Sequence, residues 1–70
     1  MLRLRLLRLS RGLSQAEMAR QLGMSHLTLG YLENGRLVPN DRDLERLRAV
    51  FGEHAERMFE EVGDWLGVTP

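Results

Sequence analysis

Residues 12–39, GLSQAEMARQLGMSHLTLGYLENGRLVP, constrain the fold of this chain more than any other segment. Helix-start and helix-stop signals follow one another there at short intervals, which leaves room only for short helices. Ser14, with Glu17 three residues later, predicts a capping box at a helix start. Gly23 predicts a left-handed turn at the end of that helix, and Ser25 predicts the cap of the next one. The segment therefore predicts two short helices joined by a tight turn.

The rest of the chain is also predicted to be helical. The opening alternation LRLRLL resembles a strand, but no partner strand is recognisable elsewhere, so we interpret it as a helix that Gly12 ends. Gly35 and Gly52 are expected to end the third and fourth helices. A fifth helix is expected from about Glu53 to Leu66. The predicted fold class is therefore all-α, a five-helix bundle with the tightly joined helix pair at its centre.

Helical periodicity assigns the side chains to an inner and an outer side. On the third helix, Leu27 and Tyr31 are expected on the outer side, with Glu33 beside the inner leucines. Asn40 or Asp41 is expected to cap the fourth helix. The residues predicted to face the core are Met18, Ala19, Leu22, Leu29, Leu32, Leu44, Leu47, Val50, Phe51, Ala55, Met58, Phe59, Val62 and Leu66.

Length and composition limit the class of protein. Seventy residues make one small domain, which buries only about 60% of the surface that its unfolded chain exposes. We assign residues 1–52 to the core of this domain and 53–70 to its C-terminal helix. Without cysteine, neither a disulfide nor a thiolate metal site can stabilise the fold. The chain contains no apolar run of the ~20 residues that a membrane span needs, and its opening is too short and arginine-rich for a signal peptide, so a soluble cytoplasmic protein is expected.

The charge is divided unevenly along a chain whose net charge is zero. Residues 1–36 contain six arginines and two acids, net +4, whereas residues 37–70 contain four arginines and eight acids, net −4. Such asymmetry is expected when one half faces nucleic acid and the other faces solvent or a protein partner. An equally simple interpretation is that the helices merely differ in surface charge.

Several residues of the central segment match a known family. The matching residues are Gly12-Leu13-Ser14-Gln15, Met18-Ala19, Leu22-Gly23, Ser25, Leu32-Glu33-Asn34-Gly35 and Pro39. In this order and spacing they closely resemble the Cro/repressor-type helix-turn-helix family, which includes phage repressors, Xre-type regulators and many antitoxins. The resemblance covers about residues 4 to 52. It implies a lambda-repressor-like fold that binds double-stranded DNA with its third helix in the major groove.

The resemblance also implies roles for individual residues. Those expected to contact base edges are His26, Leu27, Thr28 and Tyr31. Those expected to contact phosphate are Gln15, Ser25, Asn34 and Arg36. Arg8 and Glu33 match a pair that in some relatives forms a partly buried ion pair between the first and third helices.

Each of these roles has an alternative that the sequence leaves open. Gln15 is also interpretable as a solvated residue of a first helical turn, and His26 as an ordinary exposed histidine. Asn34 is compatible with a purely structural role, because Asn-Gly tolerates positive φ at a helix end. Glu33 is expected to be structural rather than functional.

Four positions depart from the family pattern. Leu27 is apolar where relatives commonly carry Gln, Ser or Arg, so it either packs against a thymine methyl or marks a surface that meets protein. Gly30 costs about 1 kcal/mol of helix propensity relative to Ala, but it permits close approach to a backbone. Leu37 and Val38 replace basic residues, which leaves Arg36 as the cation expected to reach phosphate and predicts a shallow salt dependence.

The apolar residues near the C-terminus have two interpretations. In the first, they complete the core of a five-helix domain. In the second, Phe59 and Trp65 belong to a two-fold dimer interface, since related repressors often dimerise near their C-terminal helices. A dimer would place two recognition helices about 34 Å apart, matching successive major grooves. The acidic residues expected to face solvent are Glu53, Glu56, Glu60, Glu61 and Asp64.

Enzymatic activity is not expected from this sequence. His26 and His54 have no nearby ligand cluster, so no metal site is predicted, and no phosphate-binding loop or nucleophile with its base is recognisable. No cofactor is expected either. The sequence predicts a dimeric, repressor-like transcriptional regulator that reads a palindromic operator through its third helix, about residues 25–34. The alternative is a protein-interaction module on the same fold, which binds transcription machinery or a toxin through the acidic C-terminal half.

Overall fold

Four α-helices dominate the structure, a computed structural model that describes residues 1–62. The helices are α1 (Arg3–Ser10), α2 (Gln15–Leu22), α3 (His26–Glu33) and α4 (Asp41–Phe51). A 3₁₀ helix, Gly52–Phe59, follows α4 and is called the 3₁₀ segment below. Over the described residues there is no β-strand beyond one isolated bridge between Leu2 and Glu61. The predicted all-α fold is therefore confirmed.

The predicted caps of the central helix pair are also confirmed. At the start of α2, the Ser14 hydroxyl accepts from the Glu17 N–H at 3.1 Å, and the Glu17 carboxylate accepts from the Ser14 N–H at 2.9 Å. Gly23 ends α2 in the left-handed conformation, with φ 71°. At the start of α3, the Ser25 hydroxyl accepts from the Thr28 N–H at 3.1 Å. Local hydrogen bonding thus sets both helix starts without help from distant parts of the chain.

A single apolar cluster forms the core and draws on every helical element. The buried apolar residues are Leu4, Met18, Ala19, Leu22, Leu29, Leu32, Leu47, Ala55 and Met58. The inner faces predicted for α2 and α3 are all within this cluster. Burial of these side chains is the main favourable contribution to folding in a domain without disulfides.

The inner face of α4 differs from the prediction, which included Leu44 and Val50 but not Asp43; Leu44 is half-buried and lies outside the core cluster. The helix begins where expected, since the Asn40 side-chain oxygen accepts from the Asp43 N–H at 2.8 Å. Its inner face is then the row Asp43, Leu47 and Phe51, at spacings of four residues. Val50 lies off that row and is 40% exposed, so its predicted core position is wrong.

The fifth α-helix predicted from the sequence is wrong over its described part. The segment is a 3₁₀ helix that ends at Phe59, and Glu60 is extended, with φ −72° and ψ 140°. Leu2 offers no side-chain cap to α1, and the Arg3 N–H instead donates to the Glu60 carbonyl at 2.9 Å. This bond pairs an N–H group that the start of α1 would otherwise leave without a partner, and the helical path of the 3₁₀ segment stops at the same point. Leu66 lies outside the described residues, and the five-helix count is not confirmed.

Candidate nucleic-acid interface

The turn between α2 and α3 fixes where α3 lies. The Gly23 N–H bonds to the Arg20 carbonyl at 3.2 Å, and the Met24 N–H bonds to the Ala19 carbonyl at 3.0 Å. These bonds satisfy carbonyls that the end of α2 would otherwise leave unpaired. Ala19 is buried, and its small side chain allows α2 and α3 to pack closely. The turn therefore gives α3 a defined position on the surface.

The two faces of α3 have different surroundings. Leu29, Leu32 and Glu33 are buried. On the opposite side, Leu27 is 61% exposed and Tyr31 is 48% exposed. His26, at the first helical position, is exposed as well. We call His26, Leu27 and Tyr31 the exposed face of α3. The major groove of B-DNA is wide enough to admit an α-helix that has such an exposed face.

A buried ion pair connects α1 to α3. Arg8 donates from Nε to Glu33 Oε2 at 2.7 Å and from Nη2 to Glu33 Oε1 at 3.2 Å. Arg8 Nη1 also donates to the Leu13 carbonyl at 2.8 Å, so all three guanidinium nitrogens are used. The two charged side chains are 9% and 1% exposed. A bidentate pair in this environment fixes the orientation of both side chains.

Gln15 belongs to the same hydrogen-bond network, a contact that was not predicted from the sequence. Its Nε2 donates to Glu33 Oε1 at 3.1 Å, and the residue is half-buried. A Cβ added at Gly30 would lie 3.6 Å from both Nε2 and Oε1 of Gln15. Gln15 therefore extends from the first turn of α2 across the middle of α3. One signal for this was in the sequence: Gly30, a glycine inside a helix, permits a close neighbour.

Ser25 and Thr28 bond to each other at the start of α3. The Ser25 hydroxyl donates to Thr28 Oγ1 at 3.0 Å, in addition to accepting from the Thr28 N–H. Ser25 is exposed and Thr28 is half-buried. Both hydroxyls thus contribute to the cap as well as lying near the exposed face.

Asn34 and Arg36 follow α3 on the surface. Asn34 is the C-cap, and its N–H donates to the Gly30 carbonyl at 3.0 Å. Its φ is −90°, and the positive φ expected at this helix end belongs to Gly35 alone, with φ 72°. A left-handed backbone therefore does not explain Asn34. The Arg36 N–H bonds to the Tyr31 carbonyl at 2.9 Å, while its exposed side chain forms no ion pair with any residue of 1–62.

Two apolar side chains extend the surface beyond Arg36. Leu37 is 40% exposed, and Val38 is 84% exposed. They lie in the connection between α3 and α4, close in sequence to the cation that would contact phosphate. This connection is thus less cationic than an interface built mainly on phosphate contacts.

Glu17 is the acidic residue in the first turn of α2. The backbone N–H of Ser14 is the largest cause that lowers the pKa of Glu17, followed by the Ser14 hydroxyl, with a smaller contribution from Arg20. The carboxylate therefore stays ionised and completes the cap of α2.

Of the two aromatic residues predicted for a dimer interface, Phe59 lies within the described residues. Phe59 is half-buried and packs against the core. Part of its surface therefore packs within the domain, which agrees with the interpretation that the C-terminal apolar residues complete the core. Trp65 lies outside the described residues.

Residues 1–62 contain no group of three or more His, Cys, Asp or Glu side chains that could hold a metal ion. Nor is any helix in that range both long and apolar enough to cross a membrane.

The chain matches a protein family described as "Helix-turn-helix domain" over residues 2–59. The match includes all four α-helices and the 3₁₀ segment. It agrees with the resemblance to Cro/repressor-type proteins found in the sequence. Neither the curated proteins nor the solved structures provide a match. Because the family match covers well over half of the chain, this protein belongs to the helix-turn-helix domain family.

Proposed function

We propose that this protein is a sequence-specific transcriptional regulator that binds double-stranded DNA with α3 in the major groove. The observation that carries the proposal is the exposed face of α3. The opposite, buried face of the same helix is held to α1 by the Arg8–Glu33 pair. A rigid helix with one face free is what direct reading of base edges requires. In this proposal His26, Leu27, Thr28 and Tyr31 contact the bases.

Phosphate contacts would set the position of α3 along the groove. The residues proposed to make them are Gln15, Ser25, Asn34 and Arg36. The first turns of α2 and α3 add backbone N–H groups and the positive ends of two helix dipoles. Gln15 keeps one amide hydrogen for phosphate after donating the other to Glu33. Arg36 is the one full positive charge in this set, so affinity should fall only gently with salt.

We further propose that the regulator acts as a homodimer with the character of a repressor. Two copies related by a two-fold axis would place their α3 helices about 34 Å apart and read a palindrome. Phe59 and Trp65 are the residues we assign to the interface. The proposal is tested by sedimentation equilibrium together with the symmetry of the selected DNA. A monomer that selects single, non-repeated sites would contradict the dimer but not the DNA binding.

The test of DNA binding is selection from a randomised duplex pool at about 0.1 M salt, where screening extends over roughly 10 Å. We expect one DNA sequence to be enriched. Arg36→Ala should weaken binding about equally on all sequences and should reduce the slope of log affinity against log salt concentration by about 1. Arg48→Ala is the matched control. Arg48 lies on α4 and forms an exposed pair with Glu56 of the 3₁₀ segment, so the substitution removes the same charge and should leave binding unchanged. No enrichment by folded protein would contradict the proposal.

The exposed apolar residues favour a second candidate function, a protein-interaction module that binds transcription machinery or a toxin. Leu27 and Val38 are large apolar side chains left in solvent, and such residues often mark protein interfaces when they are contiguous. Gln15→Ala and Arg36→Ala discriminate the two candidates. Made together, the two substitutions should abolish a function that depends on DNA, whereas an adaptor that uses the acidic C-terminal half should be insensitive to them.

A further inference from the structure

The residues of α3 contain none of the side chains that recognise purines by paired hydrogen bonds. The helix sequence is HLTLGYLE, without Arg, Lys, Asn or Gln, and its single acid, Glu33, is buried. In the major groove, guanine is read chiefly by Arg or Lys and adenine by Asn or Gln, each through two hydrogen bonds. This helix therefore has to distinguish base pairs in another way.

The Thr28 hydroxyl is partly engaged, because it accepts one hydrogen bond and keeps its own proton to donate. Thr28 Oγ1 accepts from the Ser25 hydroxyl at 3.0 Å, within the cap of α3. The exposed side chains of the N-terminal turn are those of His26 and Leu27, and Leu27 is 61% exposed. Tyr31 lies one turn further along the same side as Leu27. The first turn of a recognition helix is the part that lies deepest in the groove. The large apolar group exposed in this turn is thus the isobutyl group of Leu27, beside the polar imidazole of His26.

We infer that Leu27 reads C5-methyl groups on pyrimidines in the major groove. This inference rests on the proposed DNA binding and names what the same site recognises. Thymine carries that methyl, and 5-methylcytosine presents it at the same position on the pyrimidine ring. Contact between Leu27 and the methyl removes apolar surface of both from water. Methylation of a cytosine at the contacted position should therefore strengthen binding.

The test replaces each thymine of the selected duplex, one at a time, by deoxyuridine, which pairs identically but lacks the methyl. We expect binding to weaken about fourfold at one position in each half-site, the factor for leaving one methyl-sized group in water. At the same position, a 5-methylcytosine–guanine pair should bind about fourfold more tightly than a cytosine–guanine pair. Leu27→Ala should lose both differences. Val50→Ala, which truncates an exposed apolar residue of α4, should keep them.

The possible outcomes separate this inference from the proposed function. Equal binding of the thymine and deoxyuridine duplexes at every position would overturn methyl recognition while leaving DNA binding intact. A methyl effect that persists in Leu27→Ala would overturn the role of Leu27, because DNA flexibility would then be its source. Failure of the folded wild-type protein to select any duplex would overturn the proposed function and the inference together. Thermal unfolding of each variant verifies that it is folded.

Discussion

The two faces of α3 separate what stabilises the domain from what is free to bind. On the buried face, Leu29 and Leu32 pack in the core, and each Glu33 oxygen accepts from Arg8 while Oε1 also accepts from Gln15. On the exposed face, Leu27 lies in solvent. Neighbouring residues of one short helix thus serve different purposes. Substitutions on the first face should be detected by unfolding, and those on the second by ligand binding.

The largest expected effect is that of Glu33→Ala. It leaves the Arg8 guanidinium buried without its counter-charge and removes the acceptor of Gln15, which should lower the free energy of unfolding by about 3–5 kcal/mol. Glu56→Ala is the control, because it breaks an exposed pair with Arg48 and should cost about 1 kcal/mol or less. Urea unfolding followed by circular dichroism measures both. Similar losses for the two variants would mean that burial of the first pair is unimportant.

A pair of leucine truncations tests the two faces directly. Leu29→Ala removes a fully buried side chain and should destabilise the domain by about 2–5 kcal/mol. Leu27→Ala, two residues earlier, should change stability by no more than about 0.5 kcal/mol. The same urea experiment applies to both. A large loss for Leu27→Ala would show that the exposed face is also part of the fold, and its binding effects would then need another explanation.

A smaller effect is expected from Gly30→Ala, between the two faces. The added Cβ would meet Gln15 at 3.6 Å, an ordinary contact, so the gain in helix propensity should stabilise the domain by up to about 1 kcal/mol. Gly23→Ala is the matched control with the opposite sign, because φ there is 71° and a side chain would be strained. Thermal unfolding distinguishes the two. Destabilisation by Gly30→Ala would indicate that Gln15 cannot move aside and that its position on α3 is tightly fixed.

These contrasts also explain which features were predictable from the sequence. The starts of α2 and α3 depend on hydrogen bonds across three residues, Ser14 with Glu17 and Ser25 with Thr28, so local signals were sufficient. Periodicity then identified the buried residues of both helices. It misplaced Val50, because the side of α4 that packs inward depends on where the other helices lie.

Local cap signals and helical periodicity do not predict contacts between residues that are distant in sequence. The Gln15–Glu33 bond joins residues 18 positions apart, for which the sequence predicts separate roles. At the end of the 3₁₀ segment, the Glu60 carbonyl accepts from the Arg3 N–H, a contact that no local pattern encodes. The pairing of Arg8 with Glu33 entered only through the family resemblance. Side-chain spacing within one helix carries no information about such partners.

The smallest effect concerns Glu17, an exposed acid that contrasts with the buried Glu33. The hydrogen bonds from Ser14 lower the pKa of Glu17 below its ordinary value of 4.5. Its contribution to stability is therefore present above that value and is lost as the pH falls through the lowered pKa. Glu17→Gln retains an oxygen that can accept from the Ser14 N–H but cannot titrate, which makes it the reference for the charge alone.

We expect the wild type to be the more stable of the two near neutral pH, with a difference that shrinks on acidification below 4.5. Comparing urea midpoints of the two proteins between about pH 7 and about pH 3 cancels the titration of the other carboxylates. Glu17 is far more exposed than Glu33, so raising the salt concentration should also reduce the stability difference between the wild type and Glu17→Gln. The loss of unfolding free energy caused by Glu33→Ala should persist at high salt. A difference that is constant with pH would mean that the Glu17 charge does not stabilise the start of α2.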